Sequence, residues 1–596
     1  MSRPGNEKFL NQSYNKLKKS LKQPNELFVD QKFPMTSILR SSNQRIEWKR
    51  PKDISSNPRI FVDNGVISVK QGELGNCWFM SALVCLVRHK DLLKKVMPHL
   101  EIQEWNAKKP ETYKGIFKFS FCRLGKWMDV VIDDRLPTRN NGLIYSRSNN
   151  KNEFFSSLVE KAYAKFHGGY SAIESGTLSE SFSHLTGGNT KTITLSEVIR
   201  GNNNDEVFYE LKKAFKSKCL VTASREAIQH AYAVIAVKEV PLMKRSRKKY
   251  KNSKKLKMIY LHNPWGDGNR HRDSGLTFSD WDALNKSWRK KNQKVNDNGE
   301  YWVLFDLFVQ RFRSIAICTI KSSKKEQVFH SSWNRKSNTV GGCVNSRESF
   351  PFNPQFLLNV KREEETIECF LTQDHERSGR KPLLSMNTTV VKAEVNRNCK
   401  FHSLRNLKVI NDGSKFTNLE TTFNEYTLKK GTYILVPSTY ERGREGKFSL
   451  KIIGNVQVKE LLRDTPKSKL SFPLSLFQSS KGFSVVTSIK INHIDFKESK
   501  DNEKYTVKFR CENKTILCDY SENEGISVVF YRKKEDVPIT LEIYSKGLLG
   551  QKQLGKAFFN KNLESIANQV FTEPIEGSRV GTIRLIVNQS TNLNAL

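Results

Sequence analysis

The chain has 596 residues, with 100 Lys and Arg against 61 Asp and Glu, a formal net charge of +39. That length excludes a single core and implies several domains, and the charge excludes a surface indifferent to salt or to anionic partners. No apolar run reaches the roughly 20 residues of a transmembrane helix. The lysine-rich N-terminal stretch has no apolar signal core, and the ten cysteines lack CxxC pairs or a dense framework, so a reducing, cytoplasmic setting is expected.

Gln71-Gly72-Glu73-Leu74-Gly75-Asn76-Cys77-Trp78-Phe79 is the most informative segment. The apolar spacing of Phe79, Leu83, Leu86 and Val87 predicts a buried helix with Cys77 near its start. A lone buried cysteine is commonly just a small hydrophobe. At a helix N-terminus, however, free backbone N–H groups favour a thiolate. Gln71, six residues earlier, supplies an amide that can share an oxyanion with the Cys77 N–H, and Gly72 and Gly75 allow the turn between them.

A thiol nucleophile needs an imidazole to take its proton and a third group to orient that ring. His230 opens the small and apolar strand His230-Ala231-Tyr232-Ala233-Val234-Ile235, and Asn263 closes the apolar segment Met258-Ile259-Tyr260-Leu261-His262. Antiparallel pairing of the two would return Asn263 to His230, and Trp265 would then shield their hydrogen bond from water. Between them runs the basic stretch 244–257, read as a solvated loop, a nuclear-import signal or a contact for an acidic surface. No nucleic-acid recognition module accompanies it, so nucleic acid is not the expected partner.

Beyond residue 323 short alternating segments appear: Gln355–Val360, Thr366–Leu371, Thr432–Val436 and Phe448–Ile453. After a polar hinge near Asp464 come Val485–Ile491, Tyr505–Phe509, Ile526–Tyr531 and Ile539–Tyr544. These patterns predict two antiparallel β-sandwiches.

Taken together, the Gln71–Phe79 segment, His230-Ala231-Tyr232 and Asn263-Pro264-Trp265-Gly266 resemble the active-site motifs of calpains. The likeness extends through Asp129-Val130-Val131-Ile132-Asp133-Asp134-Arg135-Leu136-Pro137 and Leu158-Val159-Glu160-Lys161-Ala162-Tyr163-Ala164-Lys165. It implies a multidomain α+β protein: a two-lobed papain-like cysteine protease core, then two antiparallel β-sandwiches, C2-like and C2. The expected boundaries are an N-terminal extension (1–25), lobe 1 (26–188), lobe 2 (189–322), the C2-like sandwich (323–463) and the C2 domain (470–596). No EF-hand loop pattern occurs, so the resemblance is to the atypical branch that ends in a C2 domain and lacks a penta-EF-hand domain. By the family pattern Cys77 is the nucleophile, His230 the base, Asn263 the orienting residue, Gln71 the oxyanion donor and Trp265 the cover.

The resemblance also implies Ca²⁺ in each lobe, with Glu153 and Glu300 as ligands. The pattern departs there: Ser68, Asn269 and Asn298 stand where carboxylates are expected, and Arg270 and Arg272 lie beside the second site. Lost charge weakens a site for a hard cation. The loop before His230 is short, and Gln229 replaces a glycine. In the terminal domain Tyr544–Lys552 contains no carboxylate, so no calcium is expected there. The function expected is a calpain-type endopeptidase making limited cuts in protein substrates. The alternative is a weakly active scaffold whose basic surface binds microtubules or anionic phospholipid.

Overall fold

The structure is a computed structural model, and it describes the chain apart from residues 1–5, 24, 35–45, 63–66, 107–108, 202, 226–228, 245, 247–253, 267–277, 293–298, 376–381, 405–406, 412–414, 467–481, 497–503, 522–524, 548–549, 560–564 and 578–579. Most of the basic stretch 244–257, the Asn269–Asp273 and Asn298 positions, and Leu548 and Leu549 of the terminal loop lie outside the described residues. Two compact units divide the chain, Met1–Ser323 with Asp374–Pro382, and Lys324–Gln373 with Leu383–Leu596. Among the described residues no helix is long and apolar enough to cross a membrane.

In the first unit the helix Cys77–Leu86 is buried at every position. This explains a run too apolar to be amphipathic. It begins two residues earlier than the apolar spacing indicates. Around it lie the helices Phe155–His167 and Leu178–Thr186. The hairpin of Ile116–Arg123 and Lys126–Asp133 completes the lobe, in register from Ile116 opposite Asp133 to Arg123 opposite Lys126. Tyr163 stacks flat on Phe79, with ring centroids 3.9 Å apart. The N-terminal residues pack here as well: Glu7–Lys8 pairs in parallel with Met128 and Asp129, and Tyr14 is buried with Phe28, Ile116 and Val131.

Several charged residues of these motifs, among them Asp133, Lys161 and Lys165, are buried and paired. Lys161 bonds Asp133, which also accepts from Arg135, and Lys165 reaches Asp30 at 2.5 Å. Burial alone would raise the Asp133 carboxyl, but Lys161 and Arg135 hold it well below the usual range. A buried charge persists only with such partners.

The unit also contains a six-stranded sheet, in the order Glu300–Leu304, Lys255–His262, His230–Pro241, Leu220–Arg225, Ser314–Thr319, Asn189–Thr194. The His230 and Met258 segments pair antiparallel as the pattern predicts, with His262 opposite Ala233. Asn263 is therefore delivered to the end of the sheet where His230 begins.

The second unit contains a seven-stranded antiparallel sheet and two four-stranded ones. Gln355–Val360 and Thr366–Leu371, read as separate strands, form one strand, Gln355–Gln373. The charged residues between them look like a turn in sequence. Here they form an irregularity between Val360 and Glu364, after which pairing with Thr421–Thr439 resumes. The two four-stranded sheets close over a core that includes Ile489, Val507, Phe530, Leu541 and Leu585.

Candidate active site

Cys77 is the first residue of its helix, and its side chain is buried. Asn76, the residue before it, spends its side chain on Glu160, with Nδ2 donating to Oε1 at 2.7 Å. Ser146 N–H donates to the other Glu160 oxygen at 2.9 Å. Among the described residues the Cys77 sulfur bonds the Gln229 carbonyl at 3.8 Å rather than the His230 ring. Burial pushes the thiol up, and the N–H groups of Ala231, Trp78 and Cys77 itself draw it partly back. The sulfur thus meets backbone on both sides of His230.

His230 is 2% exposed. Its Nε2 lies 2.8 Å from Asn263 Oδ1. That same oxygen accepts the Trp265 backbone N–H at 3.1 Å. A backbone N–H can only donate, so the Asn263 atom facing both groups is its oxygen, and Nε2 carries the ring proton. The lone pair is then left on Nδ1, the nitrogen free to act as a base. Burial lowers the imidazole pKa and the Asn263 bond partly restores it. Burial thus works against the charged form of both groups, the thiolate and the imidazolium. Trp265, itself 44% exposed, covers the His230 ring at a centroid distance of 4.0 Å.

Gln71 joins the two motif regions: its backbone N–H donates to the Pro264 carbonyl at 2.8 Å. Its Nε2 donates to the Leu74 carbonyl at 2.7 Å, which fixes the amide orientation and leaves one amide hydrogen for another acceptor. A cavity of about 570 Å³ adjoins it, lined by Gln71, Gly72, Lys70, Arg147 and Trp265 among others. Gly72 does not need a left-handed backbone as a turn would suggest. It needs the missing side chain, because a Cβ would sit 2.3 Å from the Tyr145 carbonyl oxygen. Gln229 is the strained residue, with φ +45° in the region that favours glycine.

The residues assigned to calcium by resemblance are otherwise engaged. Glu153 accepts the Ser68 N–H at 3.2 Å and the Val62 N–H at 3.4 Å. Ser68 offers only a hydroxyl, which accepts from Asn149. Glu300 bonds the Arg88 guanidinium, Tyr260 Oη at 2.8 Å and His262 Nδ1 at 3.3 Å. Burial would raise its carboxyl, but His262, Arg88 and Tyr260 hold it at about 2. Calcium takes six to eight oxygens, and a guanidinium at the carboxylate opposes a second cation. Among the described residues these donor sets do not fit the ion.

Sequence reading assigned no role to Asn76, Glu160, Gln229 or Arg88. Glu160 stood in a quoted motif, and Asn76 adjoins the thiol, so their position was visible. Their contact was not, because 84 residues separate them.

The profile described as calpain family cysteine protease matches residues 28–319, and that for calpain large subunit domain III matches 329–453. Mouse Calpain-5 is 33% identical, the match covering 91% of each chain. Calpain-5 of Caenorhabditis elegans is 29% identical over 97% of each. The human Calpain-2 catalytic subunit is 30% identical over 75% of this chain and 68% of its own. The chain belongs to the calpain family of cysteine proteases, on its atypical, Calpain-5-like side.

Proposed function

We propose that the chain is a cysteine endopeptidase making limited cuts in protein substrates, with Cys77 as nucleophile, His230 as base, Asn263 as orienting group and Gln71 as oxyanion donor. The observation that carries this reading is the doubly bonded Asn263 oxygen, which leaves His230 Nδ1 as the basic nitrogen beside a helix-terminal thiol. In the reaction Nδ1 takes the Cys77 proton as sulfur adds to the scissile carbonyl carbon. The carbonyl oxygen becomes an oxyanion, and the Cys77 N–H and the remaining Gln71 amide hydrogen stabilise it. Collapse breaks the C–N bond, and His230 gives its proton to the leaving amine. Water, deprotonated by His230, then hydrolyses the thioester and regenerates the thiol.

Because the Cys77 sulfur bonds the Gln229 carbonyl rather than the ring, proton transfer requires the sulfur and the ring to approach when substrate binds. Trp265 keeps water from the His230–Asn263 bond while they do so. No step is routed through calcium. We assign a C2-like domain to the seven-stranded sheet and a C2 domain to the terminal pair of sheets, with a protein or anionic phospholipid contact for the latter and a cytoplasmic location for the whole.

The test is digestion of an unstructured polypeptide by the full chain. Wild type should give a few discrete fragments, and Cys77→Ser none. Equal inertness of both proteins would reject the reading.

A further inference from the structure

Lobe 1 contains a second group of chemistry-bearing side chains that the proteolytic mechanism does not use. His167 is the last residue of the helix Phe155–His167, and Glu180 and His184 lie on the helix Leu178–Thr186. Their spacing of four residues puts Glu180 and His184 on one helical face, one turn apart. One ligating atom from each of the three lies within 4.8 Å of the others. The side chains are 4%, 3% and 2% exposed. All three stand on helices rather than loops, so the backbone holds them in place.

The surroundings orient the set. Tyr163 Oη is 2.8 Å from His184 Nδ1, which directs Nε2 as the coordinating nitrogen. Metal-ligating histidines are commonly fixed in this way by a partner on the second nitrogen. The His167 ring packs edge-on against Tyr163 and Phe166, at 4.5 and 5.1 Å between centroids. Two imidazoles and one carboxylate are a donor set suited to zinc and its neighbours in the first transition row, and not to calcium or magnesium.

We propose that His167, Glu180 and His184 bind a zinc ion that ties these two helices together inside lobe 1. A tetrahedral ion with bonds of about 2.0–2.2 Å needs its donors roughly 3.4 Å apart, so small side-chain rotations must draw the three inward. The three side chains leave one position of the ion open. The site is structural rather than catalytic, because its ligands are enclosed in the core.

It nevertheless touches the machinery of the thiol. Ser181, next to Glu180, donates from Oγ to the Trp78 carbonyl at 3.1 Å, one residue beyond Cys77. Tyr163, which holds His184, stacks on Phe79. An ion here therefore stiffens the packing beneath the Cys77 helix.

The experiment uses the full chain carrying Cys77→Ser and no histidine tag, which removes competing zinc ligands. Elemental analysis after gel filtration should find about one zinc per chain. Cobalt substitution should give the visible absorption bands of a tetrahedral site, displaced by zinc. His184→Gln and Glu180→Gln should each lower zinc retention at least about tenfold and weaken the cobalt bands. If either variant fails to fold, the cobalt spectrum of the parent chain decides alone. Zinc below about 0.1 per chain with no cobalt bands, or zinc retained unchanged by folded variants, would overturn the proposal.

Discussion

Replacing Asn263 with alanine isolates the group on which the tautomer argument rests. Its oxygen accepts from His230 Nε2 at 2.8 Å and from Trp265 N–H at 3.1 Å. Alanine strands the imidazole N–H in a place where the ring is 2% exposed. An unsatisfied buried donor costs about 1–3 kcal/mol. If most of that falls on the transition state, kcat/KM drops by about 5- to 140-fold, at about 1.4 kcal/mol per factor of ten. Asn263 is itself buried and bonds the base, so the loss should appear in kcat with KM nearly unchanged. The pH profile gives a second sign. The Asn263 bond raises the His230 pKa against the lowering by burial. Without it the imidazolium loses its proton at lower pH, so the acid limb of activity, which the base sets, moves to lower pH. Asn263→Asp places a negative charge at the ring and should move that limb upward. The assay is hydrolysis of a fluorogenic peptide between pH 5 and 9. An Asn263→Ala protein with kcat/KM within about twofold of wild type, and an unmoved acid limb, would overturn the role assigned to Asn263.

Glu160 is buried, and its pKa rises to about 7, because burial outweighs the bonds from Asn76 and Ser146. Its folded value lies above the unfolded one, so the native state binds the extra proton. Stability of the protease unit should fall by about 3 kcal/mol between pH 4.5 and 7 on this account, and denaturant titrations of Glu160→Gln should lack that slope. Arg88→Ala removes the cation from Glu300, whose depressed pKa contributes stability above the unfolded value that is lost as pH falls toward about 2. The substitution should cost about 1–3 kcal/mol at neutral pH, read as a lower melting temperature. Calorimetric titration of the wild-type chain with calcium should give no saturable heat at the two family positions; a tight isotherm abolished by Glu153→Gln or Glu300→Gln would contradict the fit drawn from their partners.

The site was legible in the sequence where chemistry and local pattern coincide. Cys77 follows a glycine-rich turn and precedes a buried apolar run, and His230 and Asn263 sit at the start and the end of two apolar strands, so antiparallel pairing brings them together. What escaped were contacts made across long separations. Glu160 lies in a helix that any amphipathic pattern would predict, but its link to Asn76 depends on how that helix packs. Arg88 reads as an ordinary solvated residue until the fold brings Glu300 to it. Gln229 looks like a bland substitution until its positive φ is seen. The 19-residue strand Gln355–Gln373 looks like two strands in sequence because its central charges imitate a turn.

The proposed chemistry depends most on the thiol of Cys77 standing apart from the other nine cysteines, all of which are buried. A peptidyl electrophile that needs an oxyanion contact and an imidazole base should label the native chain once, at Cys77, as read by peptide mass mapping. His230→Ala should slow that labelling at least about tenfold while leaving the protein folded. Labelling at Cys77 that ignores His230, or none at Cys77 at all, would contradict the assembled thiol and imidazole on which the proposed chemistry rests.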